Sequence, residues 1–146
     1  MKRKFLLIIL ALALLSACAS ETPEVSQNGI EIYKPVAMAG KTGEVTGGFM
    51  SIKNTGSEAD RLLGASCGAA MMTQVHETKM DGGVMAMREV TAIEIPAGQI
   101  VELKHGGYHI MLMDLKQDVT AGGTTECTLK FEKAGEVTVS LMVMSR

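Results

Sequence analysis

From Glu126 to Met144 the chain alternates apolar and polar residues with a period of two. Cys127, Leu129 and Phe131 alternate with Glu126, Thr128, Lys130 and Glu132. After Lys133-Ala134-Gly135, Val137, Val139, Leu141 and Val143 alternate with Thr138, Ser140, Met142 and Met144. Successive side chains on a strand point to opposite faces, so each run buries one face and wets the other, and the turn between them makes a hairpin. Helical folding would scatter the same residues around a cylinder. Shorter runs upstream read the same way: Ile30–Val36, Gly48–Asn54, Arg61–Ala65, Thr73–Glu77, Val84–Val90, Val101–Lys104 and Tyr108–Leu115. Turn residues fall between them at Asn54-Thr55-Gly56, Asp81-Gly82-Gly83, Pro96-Ala97-Gly98 and Gly106-Gly107. Eight or nine short strands at this spacing predict one all-β domain over residues 30–146, an antiparallel sandwich or small barrel. With no Trp, three Phe and two Tyr, its core has to be built from Val, Ile, Leu and Met.

The N-terminus follows a different rule. Lys2, Arg3 and Lys4 precede an apolar run from Phe5 to Leu15. That run is shorter than the ~20 residues a membrane span requires and has the length of a signal-peptide core. It ends in Leu15-Ser16-Ala17-Cys18, which resembles the lipobox of bacterial lipoproteins. The resemblance implies cleavage after residue 17, lipidation of Cys18 and attachment to a membrane; an ordinary secretory leader cut near Ala17 is the alternative. Residues 18–29 are polar and predict a flexible tether. Ala19 and Ser20 lack the Asp that commonly retains lipoproteins in the inner membrane, which favours the outer membrane for a Gram-negative source. The expected location is the periplasmic side of a bacterial membrane.

Loss of Lys2, Arg3 and Lys4 from 14 basic residues leaves 11 against 16 acidic ones, a net charge near −5. An acidic domain lacks the basic footprint that nucleic acid requires. Cys67 and Cys127 remain, and in an oxidising compartment two thiols more often pair than stay free. Spacing alone does not say whether their Cα atoms come within bonding range, so the sequence leaves the disulfide open.

Twelve Met and three His stand out. Met fills irregular gaps in cores, and that accounts for most of the twelve. However, His76, His105 and His109 are interleaved with Met80, Met85, Met87, Met111 and Met113. In His109-Ile110-Met111 the outer two residues share a strand face about 7 Å apart, close enough for both side chains to clamp one ion. Met85 and Met113 share faces with Met87 and Met111, so either could assist, although packing is the simpler reading for both. Thioether sulfur is soft and neutral and selects Cu(I), and imidazole suits the same ion.

His76, Met87, His109 and Met111 together spell H-x10-M-x21-H-x-M. With Val75-His76-Glu77-Thr78, Ile95-Pro96-Ala97-Gly98 and Gly106-Gly107-Tyr108-His109 around it, the pattern resembles the periplasmic copper chaperones of the PCu(A)C family over roughly Ile30 to Val143. The resemblance implies a cupredoxin-like β-sandwich, single and monomeric, that binds one Cu(I) through those four residues. It also implies delivery to a copper acceptor in respiratory oxidase assembly, often alongside a thioredoxin-like copper protein. Three features depart from the family pattern. His105 stands where Pro is common and is a candidate fifth donor, the first strand lacks a Trp and has Met38 nearby, and the cysteine pair is an addition.

Other functions fit less well. An electron-transfer cupredoxin needs a His₂Cys set, but every His precedes Cys127 and no Cys-x-His spacing exists. No H-E-x-x-H motif supplies an enzyme's metal. A metal-free structural or interaction lipoprotein with a Met-rich sandwich is the remaining alternative.

Overall fold

The computed structural model describes residues 21–146, so the leader and Cys18 lie outside it. Eleven strands follow one another in this part of the chain: β1 (Val25–Gln27), β2 (Ile30–Met38), β3 (Thr46–Asn54), β4 (Asp60–Cys67), β5 (Ala70–Asp81), β6 (Val84–Glu89), β7 (Ile93–Ile95), β8 (Ile100–Leu103), β9 (Tyr108–Leu115), β10 (Thr124–Phe131) and β11 (Glu136–Met144). Hydrogen bonding links them in the order β6-β5-β9-β8-β3-β2-β11-β10-β4-β7, with β1 on β2. The path folds over on itself as a cupredoxin-like sandwich around one core. Ile32, Ile52, Leu62, Ile110, Leu112, Leu129 and Leu141 are each fully buried there.

Nine of these strands match the sequence expectation, and their differences have local causes. The domain begins earlier than expected: Val25–Gln27 pairs with Ile30–Ile32, so this part of the predicted tether is strand. Asn28 and Gly29, at φ 52° and 80°, form the two-residue turn that joins them, the left-handed pair that matches strand twist. Ile93–Ile95 is too short for periodicity to reveal. It is held to β4 in the ladder and through the Asn54 side-chain amide, which donates to the carbonyls of Ile95 and Glu58. The sandwich is mostly antiparallel, but β11 runs parallel to β2, and β8 meets β9 in a short parallel pair.

Methionine is the larger correction. Among the described methionines only Met50 joins the buried core, which otherwise consists of Val, Ile, Leu, Ala, Phe and the two cysteines. Met71, Met72, Met80, Met85, Met87, Met142 and Met144 are exposed. β-branched and leucine side chains fill the interior without Met's flexible stem. The methionines are therefore left for the surface.

Cys67 on β4 and Cys127 on β10 lie directly opposite in register, with Cα atoms 4.1 Å apart, and are joined as a disulfide.

Candidate metal centre

The β5–β9 ladder places His76 directly opposite His109 and Gln74 opposite Met111. On the other side of β5, Met87 of β6 lies opposite Thr78. Directly paired residues share a sheet face, and so do residues two apart on a strand. His76, Met87, His109 and Met111 thus occupy one face within neighbouring rungs of three strands, while Val75 and Ile110 point the other way into the core. The β5–β6 connection sets Met87's position. Asp81 pairs with Val84 across Gly82 and Gly83, at φ 57° and 85°, a tight turn that allows one register only.

The two imidazoles are 5.9 Å apart between ring centroids. Two rings ligating one ion at about 2 Å per nitrogen place their centroids roughly 5–6 Å apart. Each ring is oriented by a partner. His109 is buried, and its Nδ1 lies 3.0 Å from the Gly107 carbonyl oxygen. A carbonyl only accepts, so Nδ1 donates and Nε2 keeps its lone pair. His76 Nε2 lies 2.9 Å from the Gln74 side-chain oxygen. With that oxygen accepting, the His76 lone pair sits on Nδ1, a buried atom with no hydrogen-bond partner. A buried polar atom left unpaired costs about 1–3 kcal/mol, and a ligand is one way to satisfy it. Burial holds the His76 pKa below its ordinary value, the neighbouring His109 lowers it further, and Glu89 opposes both without reversing them. The ring is therefore poised in the neutral form that binds a metal.

Beside this pair opens a cavity of about 640 Å³ whose lining includes Met87, His109, Met111, Met85, His105 and Phe49. His76 is not part of that lining and joins the group through its pairing with His109. Phe49 packs against His105 at 4.0 Å and His109 at 6.3 Å between centroids. Gly47, paired with Met111, leaves room for that ring: a Cβ at position 47 would come within 2.8 Å of the Phe49 ring tip. Sequence reasoning missed Gly47 and Phe49, because nothing local says that β3 lies beside β9. Among the described residues no group of three or more His, Cys, Asp or Glu comes together as a metal site. The donors that neighbour the two imidazoles on this face are thioether sulfurs, which suit a soft monovalent ion.

Fold and site define a cupredoxin-like domain of the PCuAC kind. It superposes on the copper-bound PCuAC domain from PmoF2 with a TM-score of 0.71 at 29% identity, covering 84% of this chain and 97% of that one. The solution structure of CuI-DR1885 from Deinococcus radiodurans matches with a TM-score of 0.60 at 27% identity, over 77% of this chain and 78% of that one. In sequence, a protein from Leifsonia xyli named "Putative lipoprotein" is 36% identical over 126 residues, 86% of this chain and 75% of its own. Residues 26–143 match the family model described as "Putative lipoprotein LpqE-like", and the chain belongs to that family.

Proposed function

We propose that this protein is an extracytoplasmic carrier of Cu(I), which it holds through His76, Met87, His109 and Met111. The observation that carries the reading is the His76–His109 pair. The two imidazoles face each other, with His76 Nδ1 buried without a hydrogen-bond partner, on the same sheet face as two thioethers. The copper-bound and CuI forms of its structural relatives support the choice of ion.

As a carrier the site combines two properties. Imidazole nitrogen gives directed, oriented ligation from the floor of the sheet. The Met87 and Met111 sulfurs are uncharged and do not titrate, so an incoming ligand displaces them without a proton transfer. The open cavity gives such a ligand room to enter. The role extends to delivering copper to an acceptor in respiratory oxidase assembly, either an oxidase copper site or a thioredoxin-like copper protein. Lipidation of Cys18 would hold the domain at the periplasmic face of a bacterial membrane, the outer one in a Gram-negative cell. The lipoprotein names in its family agree with that anchor.

The test is anaerobic Cu(I) titration against a competing chelator, with X-ray absorption counting nitrogen and sulfur donors. Wild type should bind one ion tightly with two of each. Met111→Leu should weaken it by a factor of about ten to a hundred, roughly 1.4–2.8 kcal/mol, while leaving the fold intact. Equal affinity in wild type and variant would remove Met111 from the site.

A further inference from the structure

The primary site accounts for two of the eleven methionines among residues 21–146. Of the others only Met50 is buried, and several crowd the face that carries the site. Met85, two residues from Met87, lines the cavity itself, and Met72 and Met113 form a cross-strand pair on the other side of the site. They lie directly opposite each other on β5 and β9, one rung beyond Gln74–Met111 and two beyond His76–His109. Met72 is 52% exposed and Met113 half-buried. Opposed side chains on an antiparallel pair have Cβ atoms about 5 Å apart, and the next rung is about 7 Å along. The Met72 and Met113 thioethers can converge on one ion, and Met111, on the same face of β9, lies within reach as a third.

Two further features distinguish this patch from an ordinary exposed surface. Strand surfaces favour Thr, Val and charged residues, whereas a flexible thioether gains nothing from exposure. The three successive rungs Met72–Met113, Gln74–Met111 and His76–His109 also carry no carboxylate or ammonium group. The three thioethers of Met72, Met113 and Met111, with no carboxylate among them, disfavour Zn, Ca and Mg and leave monovalent copper as their natural guest. In addition, the imidazoles are sheltered: His109 is 5% exposed and His76 Nδ1 is out of solvent contact.

We propose that Met72 and Met113, with Met111 as a shared third sulfur, form an outer Cu(I) position through which the ion enters and leaves the inner site. The inference rests on the copper reading of that inner site. Exchange proceeds one ligand at a time: an ion on Met72, Met113 and Met111 exchanges Met72 for His109 and Met113 for His76, then adds Met87. Each step exchanges or adds a neutral donor, so no charge or proton has to move with the ion. The outer set lacks nitrogen donors and is the weaker of the two.

Methionine-methyl ¹³C NMR during anaerobic Cu(I) titration tests this residue by residue, with Met72→Leu/Met113→Leu as the matched variant of similar volume. In wild type the Met87 and Met111 methyls should move with the first equivalent and the Met72 and Met113 methyls with the second. The variant should keep the first step at unchanged affinity, lose the second, and release Cu(I) to a chelator roughly tenfold more slowly. Met72 and Met113 methyls that stay fixed through two equivalents, with the first step intact, would overturn the outer position alone. A variant that takes up the second equivalent like wild type would overturn it too. Met87 and Met111 methyls that ignore the first equivalent would overturn the inner site and this inference together.

Discussion

His76 and His109 face each other across two strands, yet different partners hold their rings. His109 leans on a backbone carbonyl that tertiary structure cannot easily move, whereas His76 leans on the Gln74 side chain. Burial and the neighbouring imidazole lower the His76 pKa, which favours its neutral form. The sign for copper is direct. Protons compete with metal only for a ring that can be protonated, and a lowered pKa shifts that competition to more acid conditions. Cu(I) affinity measured from about pH 7.5 down to about pH 5 should weaken on acidification, as protons compete for the imidazole nitrogens. An affinity flat over that range would count against imidazole ligation.

At the scale of elements, the β5–β6 hairpin decides whether Met87 takes part. Its register depends on Gly82 and Gly83, both at positive φ with open space where a Cβ would be. The obstacle to substitution is therefore backbone conformation and not crowding. Gly83→Val should cost about 1–3 kcal/mol through the strained left-handed backbone. Because β6 is an edge strand paired only with β5, the loss should be local. Hydrogen exchange should rise across β6 while the core strands stay protected, and Cu(I) affinity should drop by roughly tenfold. An unchanged affinity would mean that Met87 finds its place without the turn. A slip of one residue would be worse than strain, since it turns Met87 to the opposite face.

At the scale of the whole molecule, the stabilising devices lie on strands other than those that carry the four site residues. The disulfide joins β4 and β10, and Cys67 also donates its backbone N–H to the Thr73 hydroxyl on β5. The disulfide closes a separation of 60 residues, for which the chain-entropy model gives about 4 kcal/mol as an upper figure. Cys67→Ser with Cys127→Ser should lower the unfolding midpoint clearly and leave Cu(I) affinity nearly unchanged. Asp60 is a second anchor, at the opposite end of β4 from Cys67. It is 4% exposed and accepts backbone hydrogen bonds from Arg61, Lys133 and Ala134, which tie β4 to the β10–β11 turn. Burial pushes its carboxyl up, but those three donors outweigh burial and hold its pKa below the ordinary value. A depressed carboxylate contributes stability that is present above its unfolded pKa and lost as pH falls through the folded one. Asp60→Ala should therefore cost about 3 kcal/mol at neutral pH and less in strong acid. Denaturant curves at about pH 7 and about pH 3 would show the difference, and an equal loss at both would refute the charge-based account.

The sequence by itself determined the strands, because period two is a local property: β10 and β11 read directly from alternating residues, and β9 from the run ending at Leu115. It also determined the chemistry available, since two His and two Met at those spacings carry their donor atoms wherever the chain goes. Tertiary structure alone decided the pairings. That β9 lies between β5 and β3 brings His76 opposite His109 and Phe49 against His105, and no window of sequence contains both partners. It alone placed Cys67 opposite Cys127. It also decided the fate of the methionines. Composition made them core filler, but the core filled with stiffer aliphatic residues and left the sulfurs outside, where soft donors can meet an ion.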